Sequence, residues 1–159
     1  MKSLYESGVI KSPPNIYCYT AVINACAYTE RDAIEKRDAL EVFVKTYKEM
    51  INEENVVPNH VSFATVLTAL RNLLPADEKR AAAVKTVFEK CTEMGMCDQL
   101  VTRRLQSIVN TKQLKGLVGD ENVDERGVII NMALLPAEWT RSIQKKNTYT
   151  TRKRPSRRT

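Results

Sequence analysis

Between residues 14 and 109 the apolar positions fall into successive stretches of helical period. In 14–26, PNIYCYTAVINAC, Tyr19, Val22, Ile23 and Cys26 stand at i, i+3, i+4 and i+7, which lines one face of an α-helix. Asn15, following Pro14, is placed to cap that helix. A second stretch, 38–50, DALEVFVKTYKEM, carries Ala39, Val42, Phe43, Tyr47 and Met50 on one face. It fades at NEEN, and Pro58 ends it because proline has no backbone N–H to donate. The cycle then restarts. In 58–70, PNHVSFATVLTAL, Asn59 takes the cap position and Phe63, Val66, Leu67 and Leu70 repeat the first stripe. Pro75, Asp77 and Glu78 mark a fourth helix start, since proline fits a first helical turn and acids favour the positive end of the dipole. Val84, Val87, Phe88 and Cys91 form its inner face, and Gly95 closes it.

Laid on one another at an offset of 44, the two leading stretches match at Pro14/Pro58, Asn15/Asn59, Val22/Val66 and Ala25/Ala69, with Tyr19 on Phe63 and Ile23 on Leu67. A period of about 20–50 residues marks a solenoid, a stack of small units sharing one core. The predicted fold class is therefore all-α: an α-solenoid of stacked helix-turn-helix repeats, finished by a short capping helix and a disordered basic tail. Residues 1–15 read as the end of an incomplete preceding repeat, 16–59 as repeat one and 60–98 as repeat two. A partial third repeat spans 99–112, with Val101, Leu105, Ile108 and Val109 facing inward. Its partner helix is not recognisable, and 110–128 reads as a long loop or weak helix. Within 113–143, a loop and capping segment, Pro136 and Glu138 predict a short helix around Trp139 that covers the end of the stack. The tail, 144–159, has almost no apolar content.

The net charge of +6 changes little once it is located. Residues 139–159 hold eight basic side chains and no acid, which leaves 17 basic and 19 acidic side chains in 1–138. The folded part is thus mildly acidic as a sum, and the sum alone gives no support to a basic stripe on its face. Four cysteines, Cys18, Cys26, Cys91 and Cys97, form no CxxC pair, and His60 is the single histidine. No zinc set is expected. Cys26 and Cys91 fall at core positions, where a thiol acts as a small apolar group. The acids Asp120, Glu121, Asp124 and Glu125 lack the ligand spacing and loop glycine of an EF-hand, so a solvated loop is expected there. No metal, cofactor or membrane span is expected, and no targeting peptide is visible at the N-terminus.

The repeated unit, quoted as PNIYCYTAVINAC with DALEVFVKTYKEM and VVPN, then HVSFATVLTAL with AVKTVFEKCTEMG, resembles the pentatricopeptide repeat, over about residues 1–109. The tetratricopeptide repeat is the nearest rival and binds proteins, but its tryptophan, leucine–glycine and tyrosine signature is missing from both first helices. The pentatricopeptide resemblance implies a right-handed superhelix whose first helices line a groove, each repeat reading one base of single-stranded RNA with two or three side chains. Carried onto this chain, the edge-reading pair of repeat one is Thr20 with the closing Asn59, a combination that resembles an adenine reader. Tyr17 and Val61 take the places that pack between bases. Ala64 stands where repeat two needs a polar reader, so that unit is expected to read weakly or not at all. The third unit is ambiguous among Thr102, Arg103 and Arg104, and Asn15 is the closing residue of an upstream unit.

The resemblance further implies a role in RNA processing, stability or translation in a mitochondrion or chloroplast. Other proteins could dock on the convex face. In the tail, Arg152, Lys153, Arg154, Arg157 and Arg158 are expected to contact RNA phosphates, or else to act as a nuclear address or a solubilising end. No catalytic residues are expected, because neither a histidine–glutamate–cysteine zinc set nor clustered aspartates on regular elements is present.

Overall fold

The computed structural model describes residues 6–9, 12–29, 32–129 and 131–143. Among these, six α-helices are defined: α1, Ile16–Ala27; α2, Ala33–Asn52; α3, His60–Leu73; α4, Glu78–Glu93; α5, Gln99–Gln106; and α6, Thr111–Val118. Three 3-10 helices follow, at Asp120–Asn122, Met132–Leu134 and Ala137–Thr140. The β pairing among the described residues is one isolated antiparallel bridge, Val123 with Ile129. No described helix is long and apolar enough to cross a membrane.

Each α-helix begins on an Asn or Asp whose side-chain oxygen accepts a backbone N–H of the first turn: Asn15, Asp32, Asn59, Asp77, Asp98 and Asn110. Each such cap is worth ~1 kcal/mol. Asn59 and Asn110 go further, forming reciprocal capping boxes with Ser62 and Gln113. The second box explains a difference from the sequence reading. Residues 111–118 form a regular helix, α6, where a long loop or weak helix was expected. The signals for it are local: Asn110 and Gln113 at its start, and Gly119 at φ 95° where it stops.

The inner faces follow the apolar stripes in the main, though Val22 and Tyr47 are only half-buried and Ala27 joins the inner face of α1. α1 buries Tyr19, Ile23, Cys26 and Ala27, and α4 buries Val84, Val87, Phe88 and Cys91. α2 buries Ala39, Phe43, Thr46 and Met50, while Val42 is 47% exposed. The sequence stripe had put Val42 inside. Residues 39, 43, 46 and 50 keep to one line down the helix, and 42 falls off its edge. Chemistry yields to geometry here: a threonine is taken in because it lies on the line.

α3 is the centre of the molecule. It packs against α1, α2, α4 and α5, and it buries Ser62, Phe63, Ala64, Val66, Leu67, Ala69 and Leu70. Two contacts align its neighbours. Asn72 Nδ2, near the end of α3, donates to the carbonyl of Ala27, the last residue of α1, at 2.9 Å. His60, the first residue of α3, lies 3.9 Å from Asp98, the cap of α5. Ends meet ends and starts meet starts, so α1, α3 and α5 run side by side in one direction. α2 packs on α1 and α4 on α3, each joined to it by a short connection.

Past α6 the chain returns to α4. Gly95, at φ 71°, ends α4 in a double turn in which Met96 N–H donates to Cys91 O and Gly95 N–H to Thr92 O. Residues 137–143 then lie across this turn. Cys97 N–H donates to Trp139 O at 2.8 Å, Ser142 N–H donates to Gly95 O at 3.1 Å, and the Arg141 guanidinium donates to Glu93 O. The short helix expected around Trp139 is present as 3-10 structure. It lies on the second half of α4 and beside Asp98 and Gln99 at the start of α5.

Candidate functional site

Acidic residues are confined to two of the six helices. The spans of α1, α3, α5 and α6 contain no Asp or Glu; the basic residues of α1, α3 and α5 are His60, Arg71, Arg103 and Arg104. α2 instead carries Glu35, Asp38, Glu41 and Glu49, and α4 carries Glu78, Glu89 and Glu93, each set mixed with lysine and arginine. Because α1, α3 and α5 are neighbours in a row, their outward faces join into a surface whose helical residues bear no negative charge. The sequence sum over 1–138 hid this, since it averaged two classes of helix. A tally helix by helix would have found it.

The expected reading residues sit on this row as follows. Tyr17, the second residue of α1, is 76% exposed, and Val61, the second residue of α3, is 44% exposed. Thr20 is half-buried, and its hydroxyl donates to Ile16 O at 2.8 Å. Its proton is therefore engaged, while its oxygen can still accept. Asn59 is half-buried, and its Oδ1 accepts from Ser62 N–H and Ser62 Oγ–H, each at 3.0 Å. The amide group of Asn59 remains as a donor. Asn15 is exposed, and its Oδ1 caps α1 through Tyr17 N–H and Cys18 N–H. Ala64 is 4% exposed at the packed side of α3. The tail residues Arg152, Lys153, Arg154, Arg157 and Arg158 lie outside the described residues.

Counting from the helix caps sets α5 against α1 and α3. Thr20 is five residues past its cap Asn15, and Ala64 five past Asn59; five past Asp98 is Arg103. Thr102 takes the place of Tyr19 and Phe63 and is buried, its hydroxyl against Gln99 O and the sulfur of Met132. Arg103 and Arg104 are exposed.

The thiols behave as core atoms. Burial, with the nearby Asp98 carboxylate adding to it, pushes Cys97 up to about 12. Cys91 is raised strongly by burial and then by Cys97 and Asp98, and Cys26 is raised by burial. Among the described residues no group of three or more His, Cys, Asp or Glu is arranged to hold a metal. Asp124, from the acidic loop, spends its carboxylate on the N–H groups of Arg126 and Val128. No family model, curated protein or solved structure matches the chain.

Proposed function

We propose that this protein binds single-stranded RNA along the row formed by α1, α3 and α5, as a solenoid of helical hairpins whose paired helices α1–α2, α3–α4 and α5–α6 are its repeats. The observation that carries the reading is that α1, α3 and α5, the helices of the row, hold no acidic residue, as α6 also does not, against seven in α2 and α4. A polyanion is attracted to the basic groups of such a row and meets like charge at Asp98, the cap of α5 beside His60, but not along the helical spans; the acids of α2 and α4 lie on the helices behind. Tyr17 and Val61 supply faces on which bases can pack. Thr20 offers an acceptor and Asn59 a donor, which suits the N6 amino group and N1 of adenine. Ala64 offers neither, so the second unit contributes packing through Val61 but no edge recognition. The resemblance to pentatricopeptide repeats supports a role in organelle RNA processing, stability or translation.

With base stacking worth about 1–3 kcal/mol each, two or three units give a dissociation constant of roughly micromolar to millimolar. Fluorescence anisotropy against single-stranded RNA, double-stranded RNA and single-stranded DNA tests the reading. Preference for single-stranded RNA is expected. Equal affinity for all three, or binding that survives only as protein–protein association after nuclease treatment, overturns it in favour of a protein-binding scaffold.

A further inference from the structure

The last helix of the row differs from the first two in a way that assigns it a separate task. Register places Arg103 where α1 has Thr20 and α3 has Ala64. The rotation of α5 is fixed by Val101, Thr102 and Leu105, all buried, so Arg103 and Arg104 are held outward by the packing itself. Their backbone carbonyls are taken by Ser107 N–H, and Arg104 O also by Ser107 Oγ at 2.7 Å. Neither guanidinium has an ion-pair partner among the described residues.

An arginine carries five donors and no acceptor, so its ligand atoms must be acceptors. On RNA these are phosphate oxygens, ribose 2′-hydroxyls and acceptors on the base edges, of which O6 and N7 of guanine suit the arginine fork best. The surroundings favour phosphate. Thr20 lies half-buried on a helix that packs against α3, but among the described residues no helix of the row follows α5. A cap of a following row helix, the place Asn59 and Asp98 take for the first two, is therefore not present among the described residues to supply a second reader. Without a facing wall or a second reader, a base has nothing to hold it in plane. A phosphate needs only charge and donors, which two exposed arginines provide.

We infer that Arg103 and Arg104 form a phosphate clamp at the end of the row: α5 anchors the RNA backbone without reading sequence. The inference rests on the RNA-binding reading above. The test compares the full chain with Arg103→Gln/Arg104→Gln, by anisotropy on single-stranded RNA across a salt series. Both proteins keep the same tail, so the difference belongs to α5. The double variant should bind more weakly, and its slope of log affinity against log salt should be shallower by about 1.4, roughly 0.7 for each phosphate contact on a single strand. Its base preference should be unchanged, and Arg103→Lys/Arg104→Lys should restore most of the slope. An unchanged slope, or a loss confined to RNAs with guanine at one position, overturns the clamp while leaving RNA binding standing. Failure of the unsubstituted chain to bind single-stranded RNA overturns both. Thermal midpoints of the variants within a few degrees of the parent keep the comparison one of binding, as surface positions outside the core are expected to allow.

Discussion

Trp139 stands edge-on to Phe88, with ring centroids 5.5 Å apart and planes at 89°. This pair joins residues 137–143 to α4, and the Cys97 N–H bond to Trp139 O holds it in register. α6 is only eight residues long, half the length of α4. The cleft it forms with the first half of α4 is about 380 Å³, lined by Ala81, Val84, Val109 and Gln113 among others. The tryptophan covers the second half, which α6 is too short to reach.

Trp139→Ala should therefore destabilise the fold by roughly 2 kcal/mol, less than a fully buried tryptophan because the ring is half-exposed. Urea unfolding followed by circular dichroism measures this. As the single tryptophan, Trp139 should also report its own release: its emission should move to the red as the segment leaves α4.

Gly95 holds a backbone conformation, φ 71°, that residues with a Cβ adopt at a cost of roughly 1–2 kcal/mol. A Cβ there would also come within 2.6 Å of Arg141 Cγ and 3.1 Å of Glu138 O. Gly95→Ala is expected to cost more than Gly8→Ala, whose site is open and whose φ is similar, 74°. Equal losses in the two variants would mean that the segment 137–143 does not press on the turn.

Asn59 separates capping from recognition. Asn59→Ala removes the acceptor of Ser62 N–H and should cost ~1 kcal/mol of stability. Asn59→Asp keeps that acceptor and removes the amide donor, so stability should be held while preference for adenine falls. A variant that keeps both its melting temperature and its base preference would remove Asn59 from the reading pair.

The buried thiols and Tyr47 set the alkaline limit. In the unfolded chain the cysteines ionise near 9.0 and Tyr47 near 10.0; in the fold burial, chiefly, raises Cys97 and Tyr47 each to about 12 and Cys91 further. Above pH 9 the unfolded state therefore holds fewer protons than the native state, and stability falls as pH rises. It is complete below about pH 9 and declines between 9 and 12. Thermal melts from pH 7.5 to 10.5 should show the decline. Iodoacetamide on the native protein should modify Cys18, which is exposed, well before Cys26, Cys91 and Cys97.

Local chemistry determined the helices of this protein. Caps, proline and glycine at the breaks and apolar residues at helical spacing placed α1, α3, α4 and α5, because a cap and a stripe act over single turns; α2 was placed from 38, but it starts at Ala33 on the cap Asp32, before its apolar stripe begins. The match between 14–26 and 58–70 likewise set Tyr17 beside Val61 and Thr20 beside Ala64 in register. α6 was legible too, through Asn110 and Gln113, though its thin apolar content disguised it. Tertiary structure decided what no stripe can state: which flank of a helix meets a neighbour. That is why Val42 faces water and Thr46 does not, why Ala64 is closed off while Arg103 in the same register stands free, and why Trp139 lies on Phe88. Burial is settled by contacts between residues far apart in the chain, and spacing along one helix carries no record of them.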